Sequence, residues 1–158
     1  MDLKQAESLA IRLMSEHGIL DMGYHFAWNN KKRAAGTCSY RKKQIQLSKP
    51  LTTYSILEDV TDTILHEIAH ALAGYSAGHG YEWQRVAKSI GCNANKYYDE
   101  KNKKSTADAF KIIAKYKAVC EGCGKESFKN RMPKRRFACS TCCKGVWNEN
   151  FILTFRPQ

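Results

Sequence analysis

The chain has 158 residues, 43% of them hydrophobic, and its 26 Lys and Arg against 15 Asp and Glu leave a net charge of +11. It is long enough to bury one core with a small appendage, and no stretch approaches the ~18 apolar residues that a membrane span needs. No basic start runs into an early apolar segment, so a secreted, disulfide-framed protein is not expected, and the seven cysteines of an intracellular chain point to metal ligation.

Leu3, Ala6, Ala10, Leu13 and Met14 recur at helical spacing and predict an amphipathic first helix that Gly18 stops. Tyr24 to Trp28 alternates as a strand, Asn29 to Arg33 is a polar turn, and Gly36 to Tyr40 and Gln44 to Ser48 read as two further strands joined by Arg41, Lys42 and Lys43. His17 and His25 are expected to be structural or solvated. Pro50 then punctuates the chain ahead of a long helix, for which Ser55 and Glu58 resemble a capping box.

That helix carries Leu57, Val60, Ile64, Ile68, Ala71 and Leu72 as a buried stripe, and within it stands His66-Glu67-Ile68-Ala69-His70. Residues four apart share a helix face with Cβ atoms about 5–6 Å apart, so His66 and His70 can bind one metal ion. Glu67 need not ligate; it can accept a proton from a water whose pKa the metal lowers toward about 7. Placing these residues on a buried helix costs desolvation unless a metal compensates, which favours a zinc site over two solvated histidines. The third ligand is expected to be His79, separated from His70 by eight residues, because Gly74, Gly78 and Gly80 let the chain leave the helix and turn back. Glu82 and Glu100 are the competing carboxylates, and a metzincin pattern fails because Ala73 and Ser76 stand where it needs Gly and His. Tyr81 to Ile90 predicts another helix with Trp83, Val86, Ala87 and Ile90 inward and Gly91 as its stop. Asn93 to Ala107 is polar and Lys-rich and reads as a linker or loosely held connection.

Cys120-x-x-Cys123 and Cys139-x-x-Cys142 are two knuckles separated by fifteen residues, the spacing of a structural four-cysteine zinc ribbon. Cys143 aligns with Gly124, just past the second thiolate of the first knuckle, so Cys142 is the expected ligand and Cys143 a spare. Cys38 and Cys92 lack a C-x-x-C partner and read as small buried hydrophobes. From Lys101 onward 14 Lys and Arg face 4 Asp and Glu, whereas residues 1–100 carry 12 against 11. Lys125, Lys129, Arg131, Lys134, Arg135 and Arg136, lying between the knuckles, form the footprint expected for a polyanion. Phe128, Phe137 and Trp147 are interleaved with them and can either stack on unpaired bases or fill the ribbon's own thin core.

The order Trp28-Asn29, Ala35-Gly36-Thr37-Cys38, Ile45-Gln46-Leu47-Ser48, His66-Glu67-x-x-His70-Ala71, His79-Gly80-x-x-Trp83 and then a C-x-x-C pair resembles the SprT-like metalloproteases, the Spartan group. The resemblance covers nearly the whole chain, and its most specific element is His-Glu-x-x-His-Ala followed by His-Gly-x-x-aromatic. It implies an α+β, zincin-like protease domain with a small antiparallel sheet packed on helices, plus a C-terminal zinc ribbon. The expected division is residues 1–100 as metalloprotease domain, 101–115 as basic linker and 116–158 as ribbon. Carried over residue by residue, His66, His70 and His79 hold the catalytic zinc, Glu67 is the catalytic base, and a second, structural zinc sits on the cysteines.

The function expected from motifs and resemblance together is a zinc metalloendopeptidase that associates with DNA, single-stranded or locally unpaired, and acts on DNA-bound or DNA-crosslinked protein. The expected protein is a monomer, cytoplasmic rather than nuclear, with no membrane partner. Two other classes remain open from the residues: a DNA-binding zinc protein whose histidine site is idle or structural, and a peptidase for a specific free protein with the ribbon as docking module.

Overall fold

The computed structural model describes residues 1–93 and 104–158, which fold as two compact units, Met1–Ala109 and Phe110–Gln158. Glu100 and most of the polar connection expected after Asn93 lie outside the described residues. Among those described, no helix is long and apolar enough to cross a membrane.

The first unit opens with α1 (Leu3–Glu16), capped by the Asp2 carboxylate, which accepts from the N–H groups of Lys4 and Gln5 at 3.0 Å each. Its buried face is Ala6, Ala10, Leu13 and Met14, and the helix ends at Gly18 with φ +71°. Three strands follow, β1 (His25–Asn29), β2 (Gly36–Ser39) and β3 (Gln44–Ser48), in the spatial order β1-β3-β2. The sheet is mixed rather than wholly antiparallel: β2 and β3 form a hairpin, but β1 pairs with β3 in parallel, Phe26 opposite Ile45 and Trp28 opposite Leu47. Two reversals of direction bring β3 back along β1, and as the central strand it buries Ile45 and Leu47. The opposite face carries Asn29, Thr37, Gln44 and Gln46, joined by side-chain hydrogen bonds.

Pro50 does not merely interrupt the chain. It sits in the first turn of a short helix, α2 (Lys49–Thr53), whose N-cap Ser48 accepts from the Leu51 N–H, because proline's fixed φ suits that turn and its missing N–H costs nothing there. The expected capping box is also absent. The Ser55 hydroxyl donates back to the Leu51 carbonyl at 2.9 Å, leaving Ile56 as N-cap of α3 (Leu57–Ala73) without a side-chain cap bond. Glu58 and Asp59 in the first turn instead meet the positive end of the helix dipole.

Helix α3 buries Val60, Ile64, Ile68 and Ala71 between α1, the sheet and α4 (Tyr81–Ser89), whereas Leu57, expected in the stripe, is 53% exposed at the helix start. Full burial of an aliphatic side chain such as Ile64 or Ile68 contributes about 1.5–3 kcal/mol. Trp83 and Ala87 of α4 close the same core.

The second unit pairs β4 (Tyr116–Val119) with β5 (Glu126–Lys129) and with β6 (Arg156–Pro157), all antiparallel. Ahead of it, Lys104–Ile113 is a helix, α5, where a basic linker was expected. Ala109, Phe110 and Ile113 supply the apolar spacing for it, and Ala109 is fully buried. The unit's own core is thin, Ala114, Ala118, Cys120, Cys139 and Phe155 among the described residues, which is the usual reason a segment of this size needs a metal.

Candidate metal centres

His66 and His70 stand one turn apart on α3, and the loop after it delivers the third imidazole. Gly74 ends the helix at φ +84°, the Tyr75–Ala77 stretch makes one 3-10 turn, and Gly78 at φ +50° swings the chain so that His79 faces back. The His79 Nε2 then lies 3.0 Å from His70 Nε2 and 3.1 Å from His66 Nε2. Three imidazole nitrogens this close repel through their lone pairs unless a cation or shared protons lie between them. The separations approach the ~3.3 Å edge of a tetrahedron with bonds of about 2.0–2.1 Å, the zinc–nitrogen distance, so the residues fit that ion. Burial, then the neighbouring His79, pushes His70 down to about 4, which keeps its imidazole in the neutral, ligating form.

All three rings rest on one side chain. The Trp83 indole centroid is 4.7 Å from His66, 5.4 Å from His70 and 4.7 Å from His79, and Trp83 is fully buried, with no hydrogen-bond partner for its Nε1–H among the described residues. The helical periodicity after His79 marks Trp83 as inward-facing but carries no sign that it forms the floor of the histidine cluster.

Glu67 points another way, toward β2. It is only 7% exposed, and burial raises its carboxyl to about 7 against the lowering effects of the nearby Cys38 backbone N–H and of Lys31. A carboxyl balanced there can take and return a proton near neutral pH. The Cys38 side chain, which the sequence leaves as a plain small hydrophobe, is half-buried beside it, and desolvation together with the Glu67 charge pushes the thiol up to about 12. Tyr40 stacks edge-on against the exposed Tyr75 at 5.5 Å, and its hydroxyl reaches the Gly74 carbonyl at 3.5 Å, bracing the start of the His79 loop. Glu82, the competing carboxylate, does not join the histidines; it pairs with Arg85 at 2.9 Å on the exposed side of α4.

In the second unit Cys120, Cys123, Cys139 and Cys142 come together, with sulfurs 3.7 Å apart for Cys120 and Cys142 and 3.6 Å for Cys123 and Cys139. A tetrahedron with zinc–sulfur bonds of about 2.3 Å has an edge of about 3.8 Å, so this set also fits zinc. Four thiols at this spacing cannot all ionise without a cation. Backbone donation from Cys142 draws Cys139 down to about 6, while the contact with Cys123 and burial push Cys142 up to about 12. Cys143 stays out of the cluster, its thiol against the Asn148 carbonyl at 3.9 Å, on the short helix α6 (Ser140–Cys143). Gly122 in the first knuckle is obligatory for a different reason: a Cβ there would stand 2.6 Å from Phe151.

The six cations between the knuckles are only partly engaged. Lys125 reaches Thr141 at 3.2 Å, Lys129 lies over the Phe137 ring at 4.6 Å, and Arg136 pairs with Glu149 at 3.5 Å. Arg131, Lys134 and Arg135 are exposed. Of the aromatics, Phe128 is half-buried beneath Lys117, whereas Phe137 and Trp147 are exposed, 41% and 54%.

Both clusters are sets that can hold a metal ion. A search of curated proteins gives no match. Residues 10–106, which contain the three histidines, Glu67, Trp83 and the whole of the sheet, match the SprT-like family. With the convergent histidines and the cysteine cluster in place beside that match, the chain belongs to the SprT-like family, a family of zinc metallopeptidase-like domains.

Proposed function

We propose that this protein is a zinc-dependent endopeptidase that works on protein held on DNA, with one catalytic zinc on His66, His70 and His79 and one structural zinc on Cys120, Cys123, Cys139 and Cys142. The observation that carries it is the triangle of Nε2 atoms with a buried carboxyl on the same helix turn. A structural site needs ligands but no general base, and three neutral nitrogen donors are the set of a catalytic zinc, while four thiolates are the set of a structural one.

Bound to the histidines, zinc supplies Lewis acidity toward the scissile carbonyl and a lowered pKa for water. Glu67 accepts the proton of the attacking water and returns it to the leaving amine, and its burial, which raises the carboxyl, favours uptake of that proton. Trp83 and the surrounding core keep bulk water from the back of the imidazoles. The partner assignment rests on charge: the exposed Arg131, Lys134 and Arg135, with the exposed rings of Phe137 and Trp147, offer phosphate contacts and stacking surfaces for an unpaired strand.

The deciding experiment compares proteolysis of a DNA-binding protein and of a short free peptide, with and without single-stranded DNA. Zinc-dependent cleavage that DNA accelerates only for the DNA-bound protein is the expected result. Cleavage indifferent to DNA would favour a peptidase for a free protein, and no cleavage by zinc-replete protein would leave an idle metal site.

A further inference from the structure

We infer that the backbone of β2 is the positioning device for Glu67, with Gly36 supplying the space and Cys38 the N–H that together hold its carboxylate; this rests on the peptidase reading above. A Cβ added at Gly36 would stand 2.8 Å from Glu67 Cγ, 2.9 Å from Glu67 Oε1 and 2.8 Å from Thr63 Cγ2, closer than any of these atoms can tolerate. Gly36 does not have positive φ, so glycine is not there for a turn. In a strand interior it weakens the sheet, and its usual warrant is the close approach of another group. Here that group is α3 itself.

Thr63 and Glu67 are one helical turn apart and both face β2. The Thr63 hydroxyl donates to the Asp59 carbonyl at 2.7 Å. Two residues along the strand from Gly36, the backbone of Cys38 lies near enough to the Glu67 carboxyl for its N–H to lower that group's pKa. The carboxylate is therefore built into the seam between helix and strand, while His66 and His70 leave the same helix toward Trp83 of α4. The proton-transfer group and the ligands are held by different neighbours. One can be displaced without the other, and a displacement of about 1 Å in a reacting group costs on the order of a hundredfold in rate.

The test uses the full chain. Gly36→Ala is expected to lower kcat on a peptide about ten- to a hundredfold, with KM and zinc affinity within about twofold. Its destabilisation, read as the shift in unfolding midpoint, should shrink or vanish in a Thr63→Ser, Glu67→Ala background, where the crowding atoms are gone. Independently of whether Gly36→Ala folds, amide exchange at Cys38 should be at least about tenfold faster in Glu67→Ala than in the parent, with the Ile45 N–H still protected. Equal destabilisation by Gly36→Ala in both backgrounds, a loss carried by zinc affinity rather than kcat, or unchanged exchange at Cys38 would each overturn the assignment. The exchange and stability arms decide it even if the protein cleaves no peptide, so failure of the peptidase reading remains distinguishable.

Discussion

A buried general base that serves catalysis should cost stability, and Glu67 allows the cost to be estimated. Its carboxyl is raised from 4.5 to about 7, with burial as the main cause. The sign follows from linkage: a group raised on folding favours the folded state fully below its unfolded value of 4.5, and that advantage is lost as pH climbs through about 7. At about 1.4 kcal/mol per pH unit, the loss between those limits is roughly 3 kcal/mol in metal-free protein. Glu67→Gln removes the ionisation while keeping an oxygen that can accept from Cys38, so the variant is expected to be more stable than the parent at pH 8 by about 1–3 kcal/mol and indistinguishable near pH 4.5. His70, lowered to about 4, has the opposite linkage: its contribution is full above 6.5 and fades as pH falls toward 4. It acts equally in both proteins, and the difference between them isolates Glu67. The assay is urea unfolding of chelator-treated parent and variant across pH 4.5 to 8.5, alongside peptide cleavage by the zinc-loaded forms, which the variant should lose. Parallel stability curves for the two proteins would refute the estimate and place the Glu67 charge in contact with water.

His79→Ala should lower zinc affinity by more than the 10–100-fold that loss of an outer-sphere partner costs, with activity falling too; full affinity and turnover would move the third ligand elsewhere. Cys120→Ser with Cys123→Ser should unfold the Phe110–Gln158 unit while the histidine site stays loaded, seen as selective loss of its amide signals and a fall from two bound zinc ions to one. Trp83→Ala removes the floor under three imidazoles and should destabilise by about 3–5 kcal/mol, whereas Trp83→Phe, which discards an N–H that has no partner among the described residues, should cost much less and keep zinc affinity within a few-fold; equal cost for both would mean that the indole N–H matters. Neutralising Lys134, Arg135 and Arg136 together should weaken DNA binding and flatten its salt dependence while sparing cleavage of a short peptide; undiminished DNA binding would show the cluster to be a solvated face.

What could be read without a structure is what depends on neighbours in the chain. His66 and His70 share a face because a helix repeats every 3.6 residues, and the first helix and the strands around Trp28, Cys38 and Leu47 follow from local periodicity. The paired C-x-x-C knuckles are local turns for the same reason. What the tertiary structure adds is the physical reason for choices that the sequence could state only as expectations, and the contacts that it could not state at all. His79 rather than Glu82 meets the other imidazoles because Gly74 and Gly78 set the loop's direction. Cys142 rather than Cys143 joins the thiol cluster because α6 aims adjacent side chains about 100° apart. Ser55 ties back to the end of α2 and does not cap α3, because its hydroxyl donates to the Leu51 carbonyl and the N-cap position falls one residue later, on Ile56. The parallel pairing of β1 with β3, the indole beneath the histidines of α3 and the glycine that admits Glu67 are contacts such as Phe26 with Ile45, Trp83 with His66 and Gly36 with Glu67, made through packing between separate elements. Local preference carries no information about such partners, since burial is satisfied by any apolar surface of the right shape, and only the assembled core selects which one.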